Sequence, residues 1–137
     1  MFTWPVRVYY EDTDSGGVVY YANYFKFMER ARSEWLRAVG YEQDVLARQQ
    51  GVIFAVRSAA IDFLKPARFN ELLHVSAAVT HMGRASLSFK QQVSRMIKGD
   101  ESELLAVGQI LVVCLEARTF KLKLIPSNLK KDLQSAG

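Results

Sequence analysis

The chain has 137 residues, half of them hydrophobic and 12% aromatic, with 18 basic and 14 acidic residues for a formal charge of +4. That composition excludes a disordered chain and leaves enough apolar material for a real core. The positive excess is too small and scattered for a nucleic-acid footprint, though it suits an anionic small molecule carrying phosphates.

In chain order, Val6 to Tyr10 are β-branched and aromatic and predict a strand. Glu11, Asp12 and Asp14 then fall within four residues, and Gly16-Gly17 breaks the strand. From Ala22 to Val39 the spacing is helical. Tyr24, Met28, Ala31, Trp35 and Val39 form one stripe, widened by Phe25, Phe27 and Leu36, and charged residues occupy the other side. Arg30 and Glu34 are placed to pair across one turn, and Gly40 suits the position that ends the helix. A second, shorter helix is expected from Glu42 to Gln50, stopped by Gly51.

After Gly51 the period changes to two. Val52 to Phe63 reads as a long strand. Leu73 to Thr80 and Ser86 to Ser94 alternate as half-buried antiparallel strands. In the second of these, Leu87, Phe89, Gln91 and Val93 share one face. Leu104 to Leu115 is almost continuously apolar and belongs inside the sheet. A short strand near Phe120 to Leu124 and a helix near Asn128 to Leu133 complete the chain. Strands of this length extend roughly 35 Å, enough to wrap a helix of about 27 Å. The pattern is α+β in one domain over residues 1–137, a long central helix wrapped by a curved antiparallel sheet; that is the outline of a hotdog fold, and pattern alone does not separate it from another α+β roll.

Cys114 is the lone cysteine, which excludes an internal disulfide and fits a reducing compartment. The first residues read as a strand rather than a signal peptide, and no window is apolar enough to span a membrane. The expected location is cytoplasmic, with peripheral envelope contact still open.

The stretch "YYEDTDSGGVVYYANYFKFMERARSEWLR" resembles the active-site signature of the 4-hydroxybenzoyl-CoA thioesterase family of hotdog proteins. More narrowly it is similar to the Tol–Pal-associated acyl-CoA thioesterases, the YbgC-like subgroup. The likeness continues through "FAVRSAAIDFLKPAR", "MGRASLSF" and "LLAVGQILVVCLE". It implies a catalytic carboxylate at Asp14, with the backbone N–H of Tyr21 gripping the thioester oxygen. It further implies substrate contacts at Gly16, Gly17, Val18 and Asn23, and coenzyme A near Arg84, Ala85 and Ser86 across a subunit boundary. The resemblance implies homodimers or homotetramers and an acyl-CoA substrate, with acyl carrier protein as another acyl donor. It implies no cofactor and no metal. The subgroup usually reads Val-Tyr-His-Ala-Asn-Tyr where this chain has Val19-Tyr20-Tyr21-Ala22-Asn23-Tyr24.

The chemistry suits the residues. A thiolate leaves readily, so the tasks are oxyanion stabilisation and delivery of a nucleophile. A helix N-terminus offers unpaired N–H groups and partial positive charge. A carboxylate can attack the thioester carbon or take a proton from water. Asp14 suits either route. Asp12 reads as a turn acid and Glu11 as solvated. His74 and His81 read as solvent-facing, and Cys114 as a small buried hydrophobe. A hotdog hydratase or dehydratase is one rival, and a non-catalytic acyl-binding or envelope-complex interaction protein is another.

Overall fold

Five strands and three helices alternate unevenly along the computed structural model, which describes residues 1–136. Strand β1 (Phe2–Arg7) leads through a single 3-10 turn (Tyr10–Asp12) to helix α1 (Ala22–Val39). Helix α2 (Gln43–Gln50) precedes the long strands β2 (Val52–Phe63), β3 (Leu72–Met82), β4 (Ser86–Met96) and β5 (Ser102–Glu116), and helix α3 (Ser127–Ala136) ends the chain. The strands form one antiparallel sheet in the order β1-β3-β4-β5-β2. This is the expected α+β hotdog arrangement, with α1 laid across the concave face.

Burial follows the period of each element. On α1, Tyr24, Phe27, Met28, Ala31, Trp35 and Leu36 are buried. On β4, Leu87, Phe89, Gln91 and Val93 face the helix and are buried. Trp35 meets Phe89 edge-on at 5.5 Å. Apolar burial of this kind is worth about 25 cal/mol per Å², so the helix is held by its stripe rather than by propensity. Gly108 on β5 permits the close approach. A Cβ there would lie 2.6 Å from Met28 Sδ, which is closer than packed atoms tolerate.

Several expectations shift. The first strand lies earlier than Val6 to Tyr10. Val8 N–H makes the last link, to Glu71 O, and Tyr9 N–H then turns to the Asp12 carboxylate. Pro5 fits because β1 is an edge. No strand forms at Phe120 to Leu124; Leu122 makes only an isolated bridge to Leu115, and Phe120 adopts φ +59°. Arg30 and Glu34 do not pair. Glu34 is taken by Arg37, which also reaches Glu42 at 3.0 Å. His81 is exposed as expected, whereas His74 is half-buried. Cys114 is fully buried, and burial pushes its thiol pKa up.

Candidate active site

Hydrogen bonding explains how three acids coexist before α1. Asp12 is buried, and its Oδ2 accepts the Tyr9 N–H at 2.8 Å. Its carbonyl accepts the Tyr20 N–H at 2.9 Å and the Asn23 side-chain amide at 2.8 Å. Asp12 is thus the turn acid, and Asn23 braces the loop. Glu11 is exposed.

Asp14 starts a tight turn. Its N–H donates to Val18 O at 2.9 Å, its carbonyl accepts the Gly17 N–H at 3.1 Å, and its Oδ1 accepts the Gly16 N–H at 2.8 Å. That side chain-to-backbone bond two residues on is the usual device of Asp in turns. Gly17 sits at φ +79°, where a side chain would be strained. The turn leaves Asp14 exposed to solvent, at the corner before the helix. Val18 bridges to Arg68, and Val19 N–H donates to Ala67 O at 2.8 Å.

Helix α1 begins without a side-chain cap. Tyr21 occupies the cap position in helical conformation. Among the described residues its backbone N–H has no acceptor, while the following N–H groups of Asn23 and Tyr24 fold back on Tyr20 O and Tyr21 O. Tyr21 is 59% exposed, and its ring meets Phe63 edge-on at 6.5 Å. Its phenol, beside that of Tyr20 with the rings 4.7 Å apart, raises the pKa of the Tyr20 phenol. A hollow of about 310 Å³ opens here, lined by Val19, Tyr21, Tyr24, Phe63, Leu64 and Lys65.

The wall behind this hollow is pinned by residues that the sequence did not single out as functional. The Tyr24 hydroxyl is buried and accepts the Ala67 N–H at 3.1 Å; burial raises the phenol pKa. Arg95 binds Glu71 at 2.7 Å and Glu103 at 2.5 Å, and its Nη1 also donates to Pro66 O at 3.2 Å. Lys65 completes the chain of charges on Glu103 at 2.6 Å. Bonds from Lys65 and then Arg95 hold the Glu103 carboxyl at about 2. This network fixes the segment from Lys65 to Glu71, against which the Asp14 turn is built. Only charge alternation on separate strands signalled it, and pairing across the sheet is not readable without the register.

Arg84, Ala85 and Ser86 are not part of this assembly. They form the hairpin at the other end of β4. Ala85 O accepts the Cys114 N–H and Arg84 O accepts the Ile125 N–H. Ser86 pairs with Val113, whereas the site end of β4 is Val93, which pairs with Ala106 and through it lies level with Phe63. Seven residues of strand separate the two levels, roughly 24 Å. Within one chain, then, Asp14, Gly16, Gly17, Val18, Tyr21 and Asn23 gather at one end of α1, and Arg84 to Ser86 lie at the other.

Neither histidine lies in the Asp14 turn or on α1; both are on β3. Among the described residues no group of three or more His, Cys, Asp or Glu side chains is arranged to hold a metal ion. None of their helices is long and apolar enough to cross a membrane.

A free N–H thus stands at the helix start, and an exposed carboxylate in the turn that precedes it. Residues 16–97 match the family model described as the thioesterase superfamily. The chain belongs to this superfamily. It is 40% identical to the acyl-CoA thioester hydrolase YbgC of Escherichia coli O6:H1 over 134 residues, covering 98% of this chain and 96% of that protein. A hypothetical protein of Thermus thermophilus, solved as a crystal structure, is similar with a TM-score of 0.89 and 27% identity, covering all of both chains. A 4-hydroxybenzoyl CoA thioesterase mutant, complexed with 4-hydroxybenzoyl CoA, shares the fold with a TM-score of 0.87 at 19% identity, covering 96% of each chain. The superfamily match begins at Gly16, so it takes in the glycine turn and all of α1.

Proposed function

We propose that the chain hydrolyses acyl-CoA thioesters, with Asp14 as the reacting carboxylate and the Tyr21 backbone N–H as the oxyanion donor. The observation that carries this reading is the unused Tyr21 N–H at the uncapped start of α1, next to the turn that leaves Asp14 exposed. A thioester oxygen seated there meets a donor and the positive end of the helix dipole together. One such donor typically supplies ~10²–10³ in rate. Asp14 then either attacks the polarised carbon and expels the thiolate, leaving an anhydride that water hydrolyses to free acid and Asp14, or deprotonates a water molecule that adds to the carbon and expels the thiolate. Gly16 and Gly17 carry no side chain to obstruct the acyl group, Val18 lines the approach, and Asn23 holds the loop through Asp12. The 40% identity to a protein named for acyl-CoA thioester hydrolysis supports the activity.

The reading includes a second copy of the chain. Arg84, Ala85 and Ser86 lie too far from Asp14 to share a coenzyme A with it in one protomer, but a partner running in the opposite direction brings its own hairpin toward this end. Strand β2 is an open edge of 12 residues, suited to such pairing. The expected assembly is a dimer through β2 edges, paired further as a tetramer, acting on acyl-CoA or acyl carrier protein thioesters in the cytoplasm without a cofactor.

The test is hydrolysis of a panel of short, long and aromatic acyl-CoAs by the wild type and by Asp14→Asn. Asn is nearly isosteric, and its amide oxygen can still accept the Gly16 N–H, so the turn survives. We expect turnover in the wild type and a fall of ~10²-fold or more in the variant, with an unchanged circular dichroism spectrum. Unchanged turnover in Asp14→Asn moves the chemistry elsewhere. Binding without turnover in the wild type makes the protein an acyl-binding module.

A further inference from the structure

Ala67, at the centre of the segment from Lys65 to Glu71, is fully buried. The two peptide groups that flank it have all four of their polar atoms engaged. Pro66 O accepts Arg95 Nη1 at 3.2 Å, and the N–H of the same peptide, from Ala67, donates to the Tyr24 hydroxyl at 3.1 Å. Ala67 O accepts the Val19 N–H at 2.8 Å, and the Arg68 N–H donates to Glu71 Oε1 at 2.6 Å. A peptide group is planar and stiff, so a bond at one edge of such a plate fixes the other edge as well.

These bonds lead to different parts of the site. Tyr24 lies in the first turn of α1, and its own N–H donates to Tyr21 O at 3.2 Å. The buried ring is therefore tied to the residue whose N–H is free. Val19 closes the Asp14 turn. It bridges to Thr13, and Asp14 N–H donates to Val18 O beside it. A further bond runs from Phe69 N–H to Gly17 O at 3.3 Å. Arg95, held by Glu71 and Glu103, anchors the segment to the sheet. Ala67 thus stands between the two halves of the site. Its N–H reaches the helix start, and its carbonyl reaches the carboxylate turn.

Packing alone does not call for the Tyr24 hydroxyl. The ring already meets Phe63 edge-on at 5.2 Å and Phe27 at 6.2 Å, and a phenylalanine would fill the same space. A buried phenol oxygen is costly unless it is hydrogen-bonded. Here it accepts a backbone N–H that no strand takes. Tyr24 is itself buried, so the joint is complete within one protomer.

We propose that Tyr24 is a positioning residue for thioester hydrolysis: through Ala67 it sets the spacing between the Tyr21 N–H and the Asp14 carboxylate, with Arg95 steadying the far edge of the Pro66–Ala67 peptide. The proposal rests on the thioesterase reading of this end of α1. A reacting carbon has to meet donor and carboxylate together, and a misplacement of about 1 Å costs up to ~10²-fold in rate. The Tyr24 hydroxyl acts on the backbone and not on the thioester, so affinity for coenzyme A is left to other residues.

Tyr24→Phe removes one oxygen and keeps the ring. Its kcat is expected to fall about tenfold or more, with KM within about twofold of the wild type. A double-mutant cycle with Asp14→Asn separates positioning from a general loss of fold. Once the carboxylate is gone its placement no longer matters, so Tyr24→Phe is expected to cost Asp14→Asn less than about twofold. Arg95→Lys keeps the charge but not the fork. It is expected to lower kcat by a smaller factor, and it is read by the same criteria if Tyr24→Phe does not fold. Hydrogen exchange reads the joint without substrate. The Val19 and Phe69 amides are expected to exchange about tenfold faster in Tyr24→Phe, while those of Gly40 and Tyr41 keep wild-type rates. An unchanged kcat, an equal loss in both backgrounds, or unchanged exchange at Val19 and Phe69 overturns the proposal. If the wild type hydrolyses no acyl-CoA while those two amides exchange faster in Tyr24→Phe, the thioesterase reading fails and the joint through Ala67 stands.

Discussion

The two ends of α1 are built to opposite purposes. At the C-terminal end every device closes the helix. Gly40 adopts φ +114° and donates its N–H to Arg37 O and Leu36 O, and Tyr41 N–H returns to Leu36 O. Arg37 is held by Glu34 and Glu42, and the Tyr41 hydroxyl by Asp132. At the N-terminal end there is no side-chain cap, the Tyr21 N–H is unspent, and Asp14 stands in solvent. An end that only had to be stable would carry a cap worth about 1 kcal/mol. The end that forgoes it keeps a donor and a carboxylate for something outside the chain.

Substitutions can break this contrast or sharpen it. The largest effect belongs to Asp14→Asn, which should cost ~10²-fold or more in kcat while Tm stays within a degree or two of wild type. Gln91→Leu comes next. It leaves one Arg32 donor without its acceptor and strips the side-chain donor from Met28 O and Ser76 O, and an unmatched buried group costs about 1–3 kcal/mol. Denaturant unfolding should show that loss with the slope unchanged. Gly40→Ala, at the closed end, forces a side chain into φ +114° and should cost about 1–3 kcal/mol of stability. Its kcat should match wild type below the melting range. A rate defect in Gly40→Ala, or a large Tm loss in Asp14→Asn, would erase the division between the two ends.

The smallest effect concerns the network behind the open end. Lys65, and then Arg95, lower the Glu103 carboxyl from its ordinary 4.5 to about 2. A depressed carboxylate gives stability that is present above its unfolded value and lost as pH falls toward its folded one. Tm should therefore drop on acidification from about pH 5 toward 2, and drop less in Glu103→Gln. Equal slopes for the two proteins would mean that the network does not hold the Lys65–Glu71 segment.

Much of this was legible in the residues. The helix from Ala22 to Val39 and the strand from Val52 to Phe63 have the bounds expected from periodicity, because both are long and strongly patterned. Asp12 as a turn acid followed from residue type alone. Gln91 stood in plain view as a polar residue on an apolar face. Its role was hidden because its partners, Arg32, Met28 and Ser76, come from two other elements. The strand expected at Phe120 to Leu124 shrinks to one bridge of Leu122 on the end of β5, because the chain turns at Phe120, φ +59°, and Ile125 N–H leaves for Arg84 O. The Arg30–Glu34 pair failed because Arg37 competed for the same carboxylate. That the Arg84 hairpin and the Asp14 turn lie at opposite ends of the fold, with Ser86 and Val93 roughly 24 Å apart along β4, needed the strand register, which no local pattern encodes.

Catalysis at the open end depends on where a thioester carbonyl sits. The most direct measurement is a crystal structure of Asp14→Asn soaked with an acyl-CoA. The carbonyl oxygen is expected within hydrogen-bond distance, about 2.7–3.1 Å, of the Tyr21 nitrogen, with the substituted side chain at position 14 facing the carbonyl carbon. An acyl-CoA bound elsewhere, with the side chain at position 14 directed into open solvent, contradicts this mechanism.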